Sequence, residues 1–183
     1  LSLDGGEYFE EHSFVIGSIY KDYIKPKVTF NGNILYTLQF TKSHSKEFND
    51  LLLNKTIDCF DKIKSNKLDV VLYLKEHPRF ENCLATDILY EYDFVKYAPQ
   101  NLDDCFELCS LHMTEYSSVL FDSLRAGIPT VLTAFTKEMD IYEKEYNFPS
   151  DEMSIIKKFK QIQDDSFYKK MIIKQIKWSK ELY

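Results

Sequence analysis

The sequence predicts an α/β fold, a parallel sheet with helices on both faces, and three observations point to it. Short apolar runs at Ile34–Leu38, Val70–Leu74, Phe94–Tyr97, Leu111–Met113 and Ile128–Leu132 alternate with helical or polar stretches. That strand–helix–strand rhythm is the signature of a parallel sheet. Glycine and proline number only five each in 183 residues, too few for the tight turns of an all-β sandwich. The stretch Thr114–Thr130 reads as a strand end, a turn carrying two hydroxyls, one helix, a glycine stop and a new strand.

Each element has a local cause. After Ile34–Leu38, Ser43 or Ser45 caps a helix over Glu47–Lys64 that places Phe48, Leu51, Leu52, Cys59, Phe60 and Ile63 near one face. Val70–Leu74 is the second strand and Phe94–Tyr97 the third, and a short helix over Asp103–Cys109 leads to the fourth, Leu111–Met113. Gly127 supplies the left-handed stop of the next helix, and Pro129 opens the fifth strand. From Asp151 the chain is helical and lysine-rich. Tyr168, Met171, Ile172 and Ile176 form a stripe, with Lys157, Lys158, Lys160, Lys169, Lys170, Lys174, Lys177 and Lys180 around it. Such an end either packs its stripe on the domain and leaves the lysines solvated, or lies on an anionic membrane surface. Residues 1–27 hold Val15-Ile16-Gly17 and Lys25-Pro26-Lys27, one strand and a connection, too little to fold alone.

Composition bounds the function. A hydrophobic content of 44% supports a real core in one ordinary domain, or one domain with a short extension. A net charge of −6, from 23 basic and 29 acidic residues, argues against a general nucleic-acid binder. No apolar run approaches the ~20 residues of a membrane span, and no signal peptide opens the sequence given. Cys59, Cys83, Cys105 and Cys109 lack zinc spacing and read as core thiols of a reducing compartment, and no metal site is expected.

In parallel sheets ligands sit beyond the carboxyl ends of the strands, where strand order reverses. Glu76–Arg79, Ala98–Asn101 and Glu115–Ser118 each follow a strand and can converge there. Ser117 is a good helix cap, which would leave the amides of Ser118 and Val119 pointing out of the sheet edge. Asp122 lies four residues after Ser118, on the same helix face and about 6 Å further along. That separation suits a phosphate at the helix tip and a ribose held by the carboxylate. Lys75-Glu76-His77-Pro78-Arg79 forms a cationic rim, and Pro78 pushes His77 out of helical geometry. Its imidazole can bind a leaving phosphate or protonate it. Tyr97-Ala98-Pro99-Gln100 can offer backbone groups to a base edge. His12 and His44 have no such context, and His112, within a strand, reads as a core or edge histidine. The plainer readings are a capping serine, a solvated carboxylate and an incidentally charged loop.

Together these residues resemble a known pattern. From Ile34 to about Tyr146 the chain is similar to the C-terminal, donor-binding, Rossmann-like domain of GT-B-type transferases. Its motifs resemble most those of the CDP-glycerol glycerophosphotransferase and capsule or teichoic-acid polymerase group. The resemblance rests on Lys75–Pro78, matching a Lys-x-His-Pro turn, and on Thr114–Asp122, matching Thr-Asp-Tyr-Ser-Ser-x-x-x-Asp with Glu115 in place of Asp. Asp122–Pro129 also resembles the wider glycosyltransferase signature, where Glu usually binds ribose.

The resemblance implies roles. His77 would be the catalytic residue at the leaving phosphate. Lys75, Thr114, Ser117 and Ser118 would bind the donor phosphates, Asp122 the ribose, and Ala98, Pro99 and Gln100 the base. No cofactor or metal is implied, only a nucleotide-activated donor, of CMP or CDP type in preference to UDP, and a polysaccharide acceptor. Residues 1–27 would be the remnant of an N-terminal acceptor domain and its linker, with Val15–Asp22 as its last strand and turn, and residues 28–183 the donor domain. Asp4-Gly5-Gly6 reads as a loop, and at best as a degenerate echo of the acidic-acidic-Gly base motif of sialyltransferase-like families. A cytoplasmic enzyme of surface-polymer synthesis, peripheral to the membrane, is the implied setting.

Sialyl- and polysialyltransferases share the His-Pro and Ser-Ser features and compete with this reading. A nonhydrolysing sugar-nucleotide epimerase would carry an Asp-Ser-Gly-Gly turn that the sequence lacks. A response-regulator-like domain needs an acidic pocket that Leu38-Gln39 does not offer. A non-catalytic nucleotide-binding or interaction module is the remaining alternative.

Overall fold

The computed structural model describes residues 25–80, 84–136, 141–150 and 153–181. Val15–Asp22, Asp4-Gly5-Gly6 and Cys83 lie outside the described residues. Five strands form one parallel sheet: β1 (Asn33–Thr37), β2 (Val71–Lys75), β3 (Val95–Tyr97), β4 (Leu111–Thr114) and β5 (Thr130–Leu132). Their spatial order is β3-β2-β1-β4-β5, so chain order reverses between β1 and β4. The register places Leu35 beside Tyr73 on one side and His112 on the other.

The sheet is buried on both faces, which is why its strands are continuous apolar runs. Ile34 and Tyr36 turn into the larger core with Leu72, Leu74, Phe60, Ile63, Phe159 and Tyr168. Leu35 turns the other way, toward Cys105, Phe106, Cys109 and Ile128. Cys59, Cys105 and Cys109 are buried free thiols. Helix α1 (Lys46–Ser65) starts at Ser45, whose Oγ accepts the Phe48 N–H. It buries Asn49, Leu52, Thr56, Cys59, Phe60 and Ile63. Leu51, expected on that face, is 43% exposed, because Asn49 and Thr56 hold the inward positions at the three- and four-residue spacing.

The connection from β2 to β3 carries a 3-10 turn (Asp87–Glu91) that apolar periodicity did not reveal. Helix α2 (Leu102–Leu108) leads to β4 and α3 (Val119–Arg125) to β5. Gly127 ends α3 with φ +75°, and a Cβ there would stand 2.8 Å from the Lys25 carbonyl oxygen. Glycine is therefore needed twice, for the backbone turn and for the close approach of the incoming segment. That segment is fixed by Lys27, whose N–H donates to the Gly127 carbonyl at 2.9 Å. The Lys27 ammonium donates to the Phe106, Glu107 and Cys109 carbonyls at the end of α2, at 2.7, 3.1 and 2.6 Å.

After a short α4 (Ile141–Lys144), α5 (Ile155–Gln161) and α6 (Asp165–Glu181) close the fold. The inward face of α6 is Tyr168, Ile172, Gln175, Trp178 and Ser179, and its apolar stripe lies on the domain. No helix among the described residues is long and apolar enough to cross a membrane.

Candidate functional site at the strand-order reversal

The carboxyl ends of β1, β2 and β4 deliver three loops to one rim. After β4, Thr114 is fully buried. Its hydroxyl donates to the Thr37 carbonyl and accepts the Ser117 N–H, both at 3.2 Å. Thr114 therefore shapes the turn, with its hydroxyl engaged on both sides. The Ser117 Oγ accepts the Val119 N–H at 3.2 Å. Of the two amides expected to be free, that of Val119 is thus spent on the turn, because a serine hydroxyl competes for backbone donors. Ser118 is exposed, takes the N-cap position of α3, and makes no side-chain capping bond.

Glu115 explains its own departure from Asp. Its buried carboxylate accepts the Thr133 hydroxyl, the Phe135 N–H at 3.1 Å, and the Thr136 N–H and hydroxyl at 2.8 and 2.9 Å. The extra methylene carries the carboxylate to the loop after β5 and ties that loop to the β4 turn. Buried carboxylates demand such donors.

After β2, the His77 Nδ1 accepts the Arg79 N–H at 3.0 Å, so the neutral ring carries its proton on Nε2. Burial, then the Arg79 cation and His44, hold its pKa below the usual histidine value. Lys75 donates to the Pro99 and Gln100 carbonyls at 2.9 and 2.7 Å. Two of its three N–H groups therefore staple the β2 and β3 loops together, and one is left for an anion. Ala98 spends its N–H on the Leu74 carbonyl at 3.1 Å, and Pro99 also accepts the Cys105 thiol at 3.3 Å. The Ala98–Gln100 loop is thus fixed beside β2 through the Ala98 N–H and the Pro99 and Gln100 carbonyls.

The residue that joins the two corners is one sequence reasoning passed over. His44, after β1, shares a 2.7 Å hydrogen bond between its Nε2 and the Tyr116 hydroxyl, and stacks edge-on to Phe48 at 4.8 Å. Its Nδ1 is buried and has no hydrogen-bond partner among the described residues. Burial and Glu115 push the Tyr116 phenol up to about 12, so it keeps its proton, while Arg79 pulls the other way. The Lys42 N–H donates to the Arg79 carbonyl at 3.3 Å, which closes the β1 loop onto the β2 loop. His77, Arg79, His44 and Tyr116 thus form one cluster, with Ser117 and Ser118 next along the chain. His44 gave no sequence signal beyond standing next to a capping serine. Only the reversal of strand order places it between the other two loops.

Asp122 is half-buried on α3, with its Oδ1 3.6 Å from Arg125 Nη1. Burial foremost, with Asp103 beside it, raises its pKa, and Arg125 offsets part of that. Shallow concavities of about 310 and 420 Å³ lie at the opposite, amino end of the sheet, around Gly32, Asp69 and Val70. They lack the convergent donors of the rim.

Comparison of the architecture with solved structures gives consistent neighbours. A variant of the wall teichoic acid polymerase TagF superposes with a TM-score of 0.58 at 19% identity, covering 85% of this chain and 40% of that one. The same polymerase soaked with CDPG gives 0.52 at 19% identity, over 87% and 39%. TarM gives 0.56 at 16% identity, over 90% and 35%. In each the matched part is C-terminal. The fold is that of a GT-B C-terminal domain. The chain spans about two fifths of the length of these GT-B proteins. No family model and no curated protein matches the sequence.

Proposed function

We propose that this chain is the donor-nucleotide half of a transferase that moves a glycosyl or glycerophosphoryl group to a surface polysaccharide or teichoic-acid-like polymer. The observation that carries the reading is the convergence of the His77 loop and the Ser117-Ser118 turn across His44 and Tyr116 at the reversal of strand order. A nucleotide would lie with its base along Ala98–Gln100, its ribose against Asp122, and its phosphates between His77, Arg79 and the serine hydroxyls. With the helix amides partly spent, side chains supply most of the positive character, and the third N–H of Lys75 adds to it.

In the transfer step the acceptor hydroxyl forms the new bond as the bond to the nucleotide phosphate breaks. The electron pair stays on that phosphate. The Nε2–H of His77 hydrogen-bonds the departing phosphate oxygen and stabilises the charge that collects there, without giving up its proton. The acceptor and the base that activates it are assigned to the rest of a longer, two-domain protein, with residues 1–27 as the connection. The alternative from another class is a non-catalytic nucleotide-binding module.

Calorimetric titration with CMP, CDP, UDP and GDP tests the reading. Preferential cytidine-nucleotide binding that is lost in His77→Ala is the expected result. Indifference to all four nucleotides overturns it.

A further inference from the structure

The outward face of α6 carries a charge pattern that neither the donor site nor the core uses. Lys169, Lys170, Ile173, Lys174, Lys177 and Lys180 are all exposed, and at helical spacing they share one face of about 140°. From Lys169 to Lys180 the face runs about 16 Å. Glu181, 3.7 Å from Lys177, stands at its far end as its one acidic residue. Ile173, in the middle, is 62% exposed. In a chain of net charge −6 this is a concentration of one sign.

The opposite face is held fast. Gln175 grips the Thr130 backbone with two 2.8 Å hydrogen bonds, Tyr168 donates to the Ser110 carbonyl, and Trp178 donates to the Tyr146 carbonyl at 2.7 Å. Membrane contact through the apolar stripe is therefore excluded, since that stripe is already packed on the protein. The lysine face remains, on a rigid support.

We infer that this face adsorbs to an anionic lipid surface. The chemistry favours headgroups over a nucleic-acid strand. The face offers lysine point charges and no arginine forks or stacking aromatics. Lysine stems extend toward headgroup phosphates, and one exposed isoleucine among them gains from the apolar layer beneath. Adsorption is electrostatic, so it weakens sharply with salt.

Flotation of the protein with vesicles of phosphatidylcholine and phosphatidylglycerol, against vesicles of phosphatidylcholine alone, tests it. Each lysine contributes about a fivefold factor near an anionic surface. The variant with Lys169, Lys170, Lys174 and Lys177 changed to Gln should lose binding by on the order of 100-fold or more. Ile173→Asn should lose about threefold, and 1 M salt should abolish association. A control with Lys46, Lys55, Lys62 and Lys64 of α1 changed to Gln should bind as the unmodified chain does, and circular dichroism melts establish that every variant is folded. Absence of binding to anionic vesicles overturns the proposal, as does equal loss in the α1 control or retained binding in the α6 variant. Binding to soluble polyphosphate without vesicle association overturns it too, in favour of a polyanion site. The nucleotide titration is unaffected by either outcome.

Discussion

Two polar clusters at the β1/β4 junction use similar residues and end in opposite states. Below the rim, His112 is fully buried, with Nε2 2.9 Å from Thr37 Oγ1 and Nδ1 3.0 Å from Thr130 Oγ1. Thr130 Oγ1 lies 2.8 Å from Ser123 Oγ, which donates to the Leu120 carbonyl, and Gln175 brackets the Thr130 backbone. Every ring nitrogen and hydroxyl in that chain is matched. At the rim, His77 engages its own loop through Nδ1 alone, the His44 Nδ1 is unmatched among the described residues, and Ser118 caps nothing through its side chain. The interior network stabilises the fold, and the rim holds unspent hydrogen-bonding capacity. That difference, more than residue type, separates a structural histidine from a functional one.

The comparison breaks most visibly under truncation. His112→Ala leaves the Thr37 and Thr130 hydroxyls unmatched beside a cavity, and should cost about 3 kcal/mol of stability in chemical denaturation. His77→Ala should change stability by no more than about 0.5 kcal/mol. It should instead weaken cytidine-nucleotide binding by about 10- to 100-fold, the loss of one hydrogen bond to a charged group. A reversed pattern would refute the division. Glu115→Gln replaces an acceptor surrounded by donors and should lower stability by about 1.5 kcal/mol, read as a lower melting temperature. Asp122→Asn should weaken ribonucleotide binding about tenfold and leave a 2′,3′-dideoxynucleotide unaffected, as expected of a hydroxyl-binding carboxylate.

Protonation separates the clusters further. Burial lowers the His112 pKa from 6.5 to about 3. The folded state therefore binds fewer protons than the unfolded state between those values. Its stability should fall as pH drops through that window, with a slope approaching about 1.4 kcal/mol per pH unit, and His112→Gln should flatten the profile. Burial, then the Arg79 cation and His44, lower the His77 pKa, and a bound phosphate favours its charged form. Nucleotide affinity should therefore rise as pH falls toward and below 6.5, and this rise should vanish in His77→Gln. Ser118→Ala should have the smallest effect, about threefold in affinity.

Much of this was legible in the sequence. The strands were visible because a doubly covered sheet demands continuous apolar runs, and Gly127 announced the end of α3. The convergence of Glu76–Arg79 with Glu115–Ser118 followed from general rules for parallel sheets. Hydrogen-bond economy was not legible: whether Thr114 faces a ligand or the Thr37 carbonyl depends on neighbours 77 residues away. His44 stayed hidden for the same reason, since its partner Tyr116 is 72 residues distant. The basic C-terminal helix left two packings open, and only the contacts of Gln175 and Trp178 decide which face turns inward.

The most direct test is a magnetic-resonance titration of imidazole-labelled protein with CDP, following His77, His44 and His112 separately. The His77 and His44 signals should shift and saturate together while His112 does not move. Silence of both rim histidines at millimolar CDP, or a response confined to His112, would contradict it.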